Sequence, residues 1–363
     1  MNKRLLLTGS AFILATGGYA VWHTSAQANP ATPDAPLHEY LRDLPTAAVA
    51  VDSARDELVI ELPPVDLPGG VNYGIDLPAA LVDLPISGAV VGFRAQAVDG
   101  NGRELPELLH HVNAMDPTKR ELFLPIAQRV LAVGKETGPV RFPWLLFGKR
   151  IRAGDRLVVN AMLHNDTDTT YRGVRTRMIL SYVPARRPWP LVSIAPWQLD
   201  VAFPVGDKSF DLPPGHSERA YVGSPAVAGR LVVIGGHLHD YGQWIELRDV
   251  TSGELIWRGE PVRDSLGRVI GRPPISKLFG LTSLGAHITP DHRYEVRVAY
   301  DNPTGHVLQA GGMGVVGGLF VPDRSADWPA VNARDTLYEK DLAHFILLGR
   351  TERASVGTHA HMH

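Results

Sequence analysis

"GRLVVIGGHLHDYGQWIELRDVTSGELIWRG", residues 229–259, decides the fold class. Its first part is an apolar run rich in Val and Ile, the habit of a buried strand. In its second part Ile245 and Leu247 alternate with Glu246 and Arg248 ahead of the "TSG" of a hairpin turn. The same habit recurs on both sides, in "ELVIELPPVDLPGG" (57–70), "ISGAVVGFRAQAVDGNG" (86–102), "DRLVVNAMLHN" (155–165), "VRTRMILSYVP" (174–184) and "HRYEVRVAYDNPTG" (292–305). With 29 prolines and 36 glycines punctuating them, these short strands predict an all-β protein of sandwich or barrel domains. Helical periodicity is scarce, and "IAQRVLAVGKE" (126–136) and "YEKDLAHFILLGR" (338–350) are the two helix candidates.

A chain of 363 residues exceeds what one core organises, and about 150 residues per domain suggests two. "VPARRPWPLVSIAPWQ" (183–198), dense in Pro and Trp, lies between two strand-rich halves and places the boundary near Pro190. The expected organisation is a signal peptide (1–28), a Pro- and Ala-rich linker (29–55), a first β-sandwich (56–190), a second (191–325) and a carboxy-terminal extension (326–363). No short-period repeat is present, and two similar-sized β halves leave a remote duplication open.

The balance of 36 Lys+Arg against 38 Asp+Glu gives no field to gather nucleic acid or an anionic membrane. At the amino terminus, Lys3 and Arg4 precede an apolar stretch and Ala26-Gln27-Ala28, the pattern of an export signal. An uncleaved anchor over Leu5 to Trp22 is the alternative, diluted by Thr8, Gly9, Ser10, Gly17 and Gly18. There are no cysteines, so thiolate catalysis, zinc fingers and iron–sulfur clusters are excluded, and any metal must use His, Met, Asp or Glu. No phosphate-binding glycine loop or GxSxG elbow accompanies the strands.

The 15 histidines include groups with chelating character. His237 and His239 are two apart, so on a strand both project from one face; exposed imidazoles at a strand end are the bland reading. His110 and His111 are adjacent in "LLHHVNAMD", and both reach one ion only if the backbone bulges there. His164 ends an apolar run before "NDTDT", where an ordinary hydrogen-bonded histidine is the alternative. Met313, in "QAGGMGVVGGLF", has glycines on both sides that free space near its thioether, or it packs as an ordinary methionine in a glycine-rich strand. Imidazole with thioether and no carboxylate selects copper. His287, His292 and His306 read as surface histidines in turns, and the tail "GTHAHMH", with His359, His361 and His363, as a terminus able to capture metal or as an incidental tract. Asp240 and Tyr241 either support an imidazole or begin a turn.

In this order the motifs resemble those of the copper type II, ascorbate-dependent monooxygenases, the family of peptidylglycine α-hydroxylating monooxygenase and dopamine β-monooxygenase. The resemblance spans residues 57–322 and implies two tandem jelly-roll-like β-sandwich domains. It implies one copper held by His110, His111 and His164, which stores and delivers an electron, and a second held by His237, His239 and Met313, where O₂ is used to hydroxylate a C–H bond. "FDLPPGHSERAY" (210–221) resembles the strand entry that precedes the second pair. The chain departs from the family's peptide-binding pattern: Gly235, Val315 and Gly317 stand where peptide-acting members place Arg, Asn and Tyr, and the family's disulfides are missing. Gly311, Gly312, Gly314, Val315 and Val316 suggest a roomy apolar pocket.

The expected function is therefore an exported copper monooxygenase using two coppers, O₂, ascorbate or another external reductant, and a small apolar substrate. Its partners include no nucleic acid, and no membrane beyond an uncleaved anchor. The rival readings are a copper-binding protein for storage, delivery or sensing, and a plain binding or structural sandwich.

Overall fold

The computed structural model describes residues 39–355 except 135–138, 144, 189, 203–207, 281–282 and 325. The expected signal segment and the histidine-rich tail lie outside the described residues. The strand Glu57–Glu61 shows how sequence becomes architecture. Leu58 and Ile60 point inward and are fully buried, while Glu57 and Glu61 point outward to Arg94 and Arg177 of neighbouring strands, each at 2.6 Å. The pleat alternates faces residue by residue, so this pattern fixes which side meets the core.

The protein is all-β, two jelly-roll-like sandwiches in tandem. In the first, an eight-stranded sheet runs in the order Ala48–Asp52, Glu57–Glu61, Tyr171–Pro184, Gly88–Val98, Phe147–Ile151, Val192–Ser193, with Val65–Leu67 and Val140–Arg141 paired at its side. It faces a five-stranded sheet ordered Val71–Asp76, Arg156–Asn165, Leu109–Arg120, Ala127–Gly134, joined by Ala80–Asp83. Val112, Ala114, Val159, Ala161, Met178 and Leu180 are among the side chains sealed between them. In the second, the order Ala195–Asp200, Leu308–Pro322, Gly229–Leu238, Ser276–Lys277 faces Gly215–Gly223, Tyr294–Asn302, Gly242–Asp249, Leu255–Gly259. Trp197, Ile234, Ile245, Val298 and Phe320 belong to this second core.

The two sandwiches follow one plan. Arg156–Asn165 and Tyr294–Asn302 occupy the same place in their sheets, and each ends in a buried asparagine. Asn165 donates to Pro68 O (2.7 Å) and Thr169 O (2.9 Å) and accepts from Thr167 Oγ1 (2.8 Å). Asn302 donates to Pro213 O (3.1 Å) and His306 O (2.9 Å) and accepts from Thr304 Oγ1 (2.7 Å). One amide thus ties the loop after its strand to the Leu-Pro entry of the neighbouring strand in both halves.

Leu122 and Phe123 leave the first sandwich and are buried in the core of the second, where the Phe123 ring lies 5.7 Å from Trp197 and 6.1 Å from Tyr294. Beside them the buried Glu121 carboxylate accepts N–H bonds from Leu122 and Arg129, both 2.9 Å; burial outweighs those bonds and pushes its pKa up to about 6.

The helix Thr336–Ser355 covers the outer face of the five-stranded sheet, with Tyr338, Leu342, Phe345 and Ile346 packed against Leu41, Leu81, Met115 and Val158. Asp341 pairs with Arg129 at 2.6 and 2.8 Å. This helix contains the candidate at 338–350, whereas the candidate at 126–136 is a strand, Ala127–Gly134. A register shift at Val130 turns both Val130 and Leu131 into the core, while Ala127 and Arg129 meet the helix, so strict alternation is lost. Part of the expected linker is also ordered: Glu39–Arg42 is a helical turn, and Ala48–Asp52 pairs with Glu57–Glu61 as an edge strand. Its Ala and Val side chains are largely exposed, which removes the inward hydrophobic stripe that would mark it as a strand. No helix among the described residues is long and apolar enough to cross a membrane.

Candidate metal centres

The first histidine group forms at one end of the outer face of the five-stranded sheet. Leu109–Arg120 and Arg156–Asn165 pair antiparallel, with His111 opposite Met162 but Leu109 opposite Leu163. His110 is the extra residue of a β-bulge, the irregularity that adjacent histidines need in order to share a face. Val112 and Leu109 turn into the core, leaving both imidazoles outside. His164 sits at a second register shift, where its strand pairs with Val71–Asp76. The His110 ring centroid lies 5.2 Å from His111 and 6.3 Å from His164.

Two observations give this group donor character. His164 Nε2 lies 3.1 Å from Asp166 Oδ1, yet it is shielded from solvent and makes no hydrogen bond, because the contact lacks hydrogen-bond geometry. Burial first, then His110, then a smaller effect of His237 push the His111 pKa down to about 4, so this ring is neutral near pH 7. Behind His111 a polar relay leads to the helix: Asn113 Nδ2 lies 3.2 Å from His111 Nδ1 and donates to Asn160 Oδ1 at 3.2 Å, and Asn160 Nδ2 donates to Phe345 O at 3.1 Å.

The second group is built by ladder register. Gly229–Leu238 pairs with Leu308–Pro322, and its last rungs are His237 opposite Val315 and Leu238 opposite Gly314. The next position sets His239 opposite Met313, on the face that carries His237. The two imidazole centroids are 5.3 Å apart. The Tyr300 hydroxyl, arriving from the opposite sheet, accepts N–H bonds from Met313 (2.9 Å) and His239 (3.1 Å) and donates to Met313 O. Tyr300 is buried, which pushes its pKa up to about 12 and keeps it a neutral hydroxyl. No pattern in the sequence marked Tyr300, Asn113 or Asn160, because each looks like an ordinary strand residue.

The glycines around Met313 serve packing of the opposite face. A Cβ at Gly312 would meet the Phe210 ring at 2.4 Å, one at Gly314 would meet Val298 at 2.3 Å, and Val316 is fully buried. The roomy pocket expected from these residues is therefore filled by the core, because alternation turns 312, 314 and 316 inward and leaves Met313 and Val315 outward. Asp240 and Tyr241 form a turn: Asp240 Oδ1 accepts from Val269 N at 2.8 Å, and Tyr241, at φ 69°, donates to Gly267 O at 2.9 Å. His287, His292 and His306 stand apart, engaged with Asp323, Asp249 and the Thr304 carbonyl.

Among the described residues no three His, Asp or Glu side chains have already closed into a metal-binding group. The orphaned, shielded nitrogen of His164 and the neutral ring of His111 fit a metal, and nitrogen with thioether sulfur fits copper.

No protein-family model matches the chain, and no curated protein matches it. Among solved structures it is similar to peptide:N-glycanase F, at 8% identity over 74% of this chain and 96% of that one, TM-score 0.38. It is also similar to PNGF-II (7% identity, 78% and 62% covered, TM-score 0.34) and to the STIV MCP (10% identity, 72% and 95% covered, TM-score 0.28). None of these likenesses is close enough to assign chemistry.

Proposed function

We propose that this chain is an exported copper-dependent monooxygenase, of the two-copper kind its motifs resemble, that hydroxylates a C–H bond of a small apolar substrate. The observation that carries the reading is the gathering of His110, His111 and His164 by a bulge, with a second pair, His237 and His239, whose ring centroids are 5.3 Å apart. The reaction balances as follows: a C–H bond, O₂, two electrons and two protons give C–OH and water, with an external reductant such as ascorbate supplying the electrons. Copper, when bound, supplies the one-electron and O₂ chemistry. His110, His111 and His164 would hold one ion, and His237, His239 and Met313 the other. The His111 ring, neutral through burial, offers a lone pair without first releasing a proton. The Met313 thioether favours the reduced ion. An apolar substrate is supported by the exposed Val262, Leu266, Ile270 and Ile275 on the segment packed against the Asp240–Tyr241 turn. Ile275 lies 3.3 Å from where a Gly235 Cβ would stand, on the outer face two residues before His237.

A second reading, a copper-binding protein without turnover for storage, delivery or sensing, is favoured by Gly235, Val315 and Gly317, which offer no side-chain group to orient a polar substrate. Copper per purified chain, with reductant-dependent O₂ uptake over a panel of C–H substrates, separates the two. The oxygenase binds two ions and consumes O₂ only with substrate and reductant. Two tightly held ions without uptake favour the carrier, and no bound copper ends both.

A further inference from the structure

We propose that the Tyr300 hydroxyl is a wedge that holds open the last position of the ladder between Gly229–Leu238 and Leu308–Pro322, and so sets the separation of His239 and Met313. In a regular ladder, the rung after Leu238 and Gly314 would join His239 to Met313 by a direct backbone bond of about 2.9 Å. Here both amides are diverted to one oxygen, at 3.1 Å from His239 and 2.9 Å from Met313, and the same hydroxyl donates to Met313 O. One donor and two acceptor sites are thereby used, the full capacity of a phenol in this place. The ring is fixed from the side by Phe210, edge-on at 5.8 Å, itself on the strand paired with Met313.

The first sandwich supplies an internal comparison. Counting back two residues from the matched asparagines, Tyr300 before Asn302 corresponds to Leu163 before Asn165. Leu163 is a buried aliphatic residue, and the ladder equivalent to the wedged one, Gly88–Val98 with Tyr171–Pro184, pairs on to Val98 opposite Arg175 and carries none of the six candidate ligands. The hydroxyl is thus found where candidate ligands end the ladder, and an aliphatic side chain where they do not. The Tyr300 hydroxyl bonds backbone atoms only, so Tyr300 is a positioning residue, acting through His239 and Met313.

The metal part of this inference rests on the copper reading; the wedge itself does not. The test uses the full chain as wild type, Tyr300→Phe and, as a matched control on the same strand, Tyr294→Phe, which removes a hydroxyl that accepts from Thr289 N. In the metal-free wild type the amides of His239 and Met313 should be protected from hydrogen exchange, and Tyr300→Phe should change both while Tyr294→Phe changes neither. Titration with Cu(I) should then show the first ion unaffected in Tyr300→Phe and the second bound at least about tenfold more weakly, with loss of the copper–sulfur signal in X-ray absorption. Wild-type exchange at both amides in Tyr300→Phe overturns the wedge, and a second Cu(I) bound with wild-type affinity and sulfur signal overturns its role in setting the separation of His239 and Met313. If the wild type takes up no second Cu(I), the copper reading of this site fails, and the exchange result alone decides the wedge. If Tyr300→Phe does not fold, wild-type exchange decides: free-peptide rates at His239 and Met313 overturn the proposal, and joint protection supports it.

Discussion

The two sandwiches share strand order and an asparagine bracket, yet they carry their candidate centres on different sheets and by different means. In the first, an extra residue in one strand swings His110 beside His111, on the sheet that holds Arg156–Asn165. In the second, the ladder is nearly regular, and a tyrosine from the facing sheet interrupts it at its end. In both sandwiches the candidate ligands thus stand where strand hydrogen bonding is broken, by insertion within a strand or by a side chain from outside it.

That contrast can be broken experimentally. The largest effect is expected from the ligands: His164→Ala and His239→Ala should each lower copper from two ions per chain to one, and either should abolish reductant-dependent O₂ uptake. Loss of both ions from a single substitution would show that the centres are not separate. Next comes the helix, which should matter to the first centre alone. Asp341→Ala removes the ion-pair partner of the largely buried Arg129 and should cost about 3–5 kcal/mol in denaturant unfolding. It should also weaken the first copper, through the Phe345–Asn160–Asn113 relay, while sparing the second.

A smaller effect is expected from pH. His111 has a folded pKa depressed to about 4 from 6.5, so the unfolded chain binds more protons in between. Its contribution to metal-free stability is present above pH 6.5 and is lost as pH falls toward 4, on the order of 3 kcal/mol in all. His111→Asn should flatten that part of the stability profile, and an unchanged profile would refute the assignment. The smallest change is at Gly134, where a Cβ would stand 2.8 Å from His110 O. Gly134→Ala should cost about 1–3 kcal/mol and disturb the bulge, measured as weaker binding of the first copper with the second unaltered.

Legibility followed the range of the interactions involved. The alternation of Ile245 and Leu247 with Glu246 and Arg248 reports a half-buried strand from its own neighbours, and the strand Gly242–Asp249 is where it was expected. The strand Ala127–Gly134 misled because a register shift turns the neighbours Val130 and Leu131 to the same side, and Arg129 is held by Asp341 of a helix two hundred residues later. The adjacency of His110 and His111 carried a conditional reading, that both serve one ion if the backbone bulges, and the bulge is present. The glycines beside Met313 suggested open space, whereas Phe210 and Val298 fill it from partners that no local pattern names.

By itself the sequence determined the all-β character, the two-sandwich plan and the kinds of donor atom on offer, because strand periodicity and side-chain chemistry are properties of near neighbours. Tertiary structure alone decided that three imidazoles meet at one sheet end, that Met313 stands one position past the final rung and opposite His239, and that a tyrosine hydroxyl lies between their backbones. Those outcomes depend on register between strands far apart in the chain, where a shift of one residue turns every side chain to the other face.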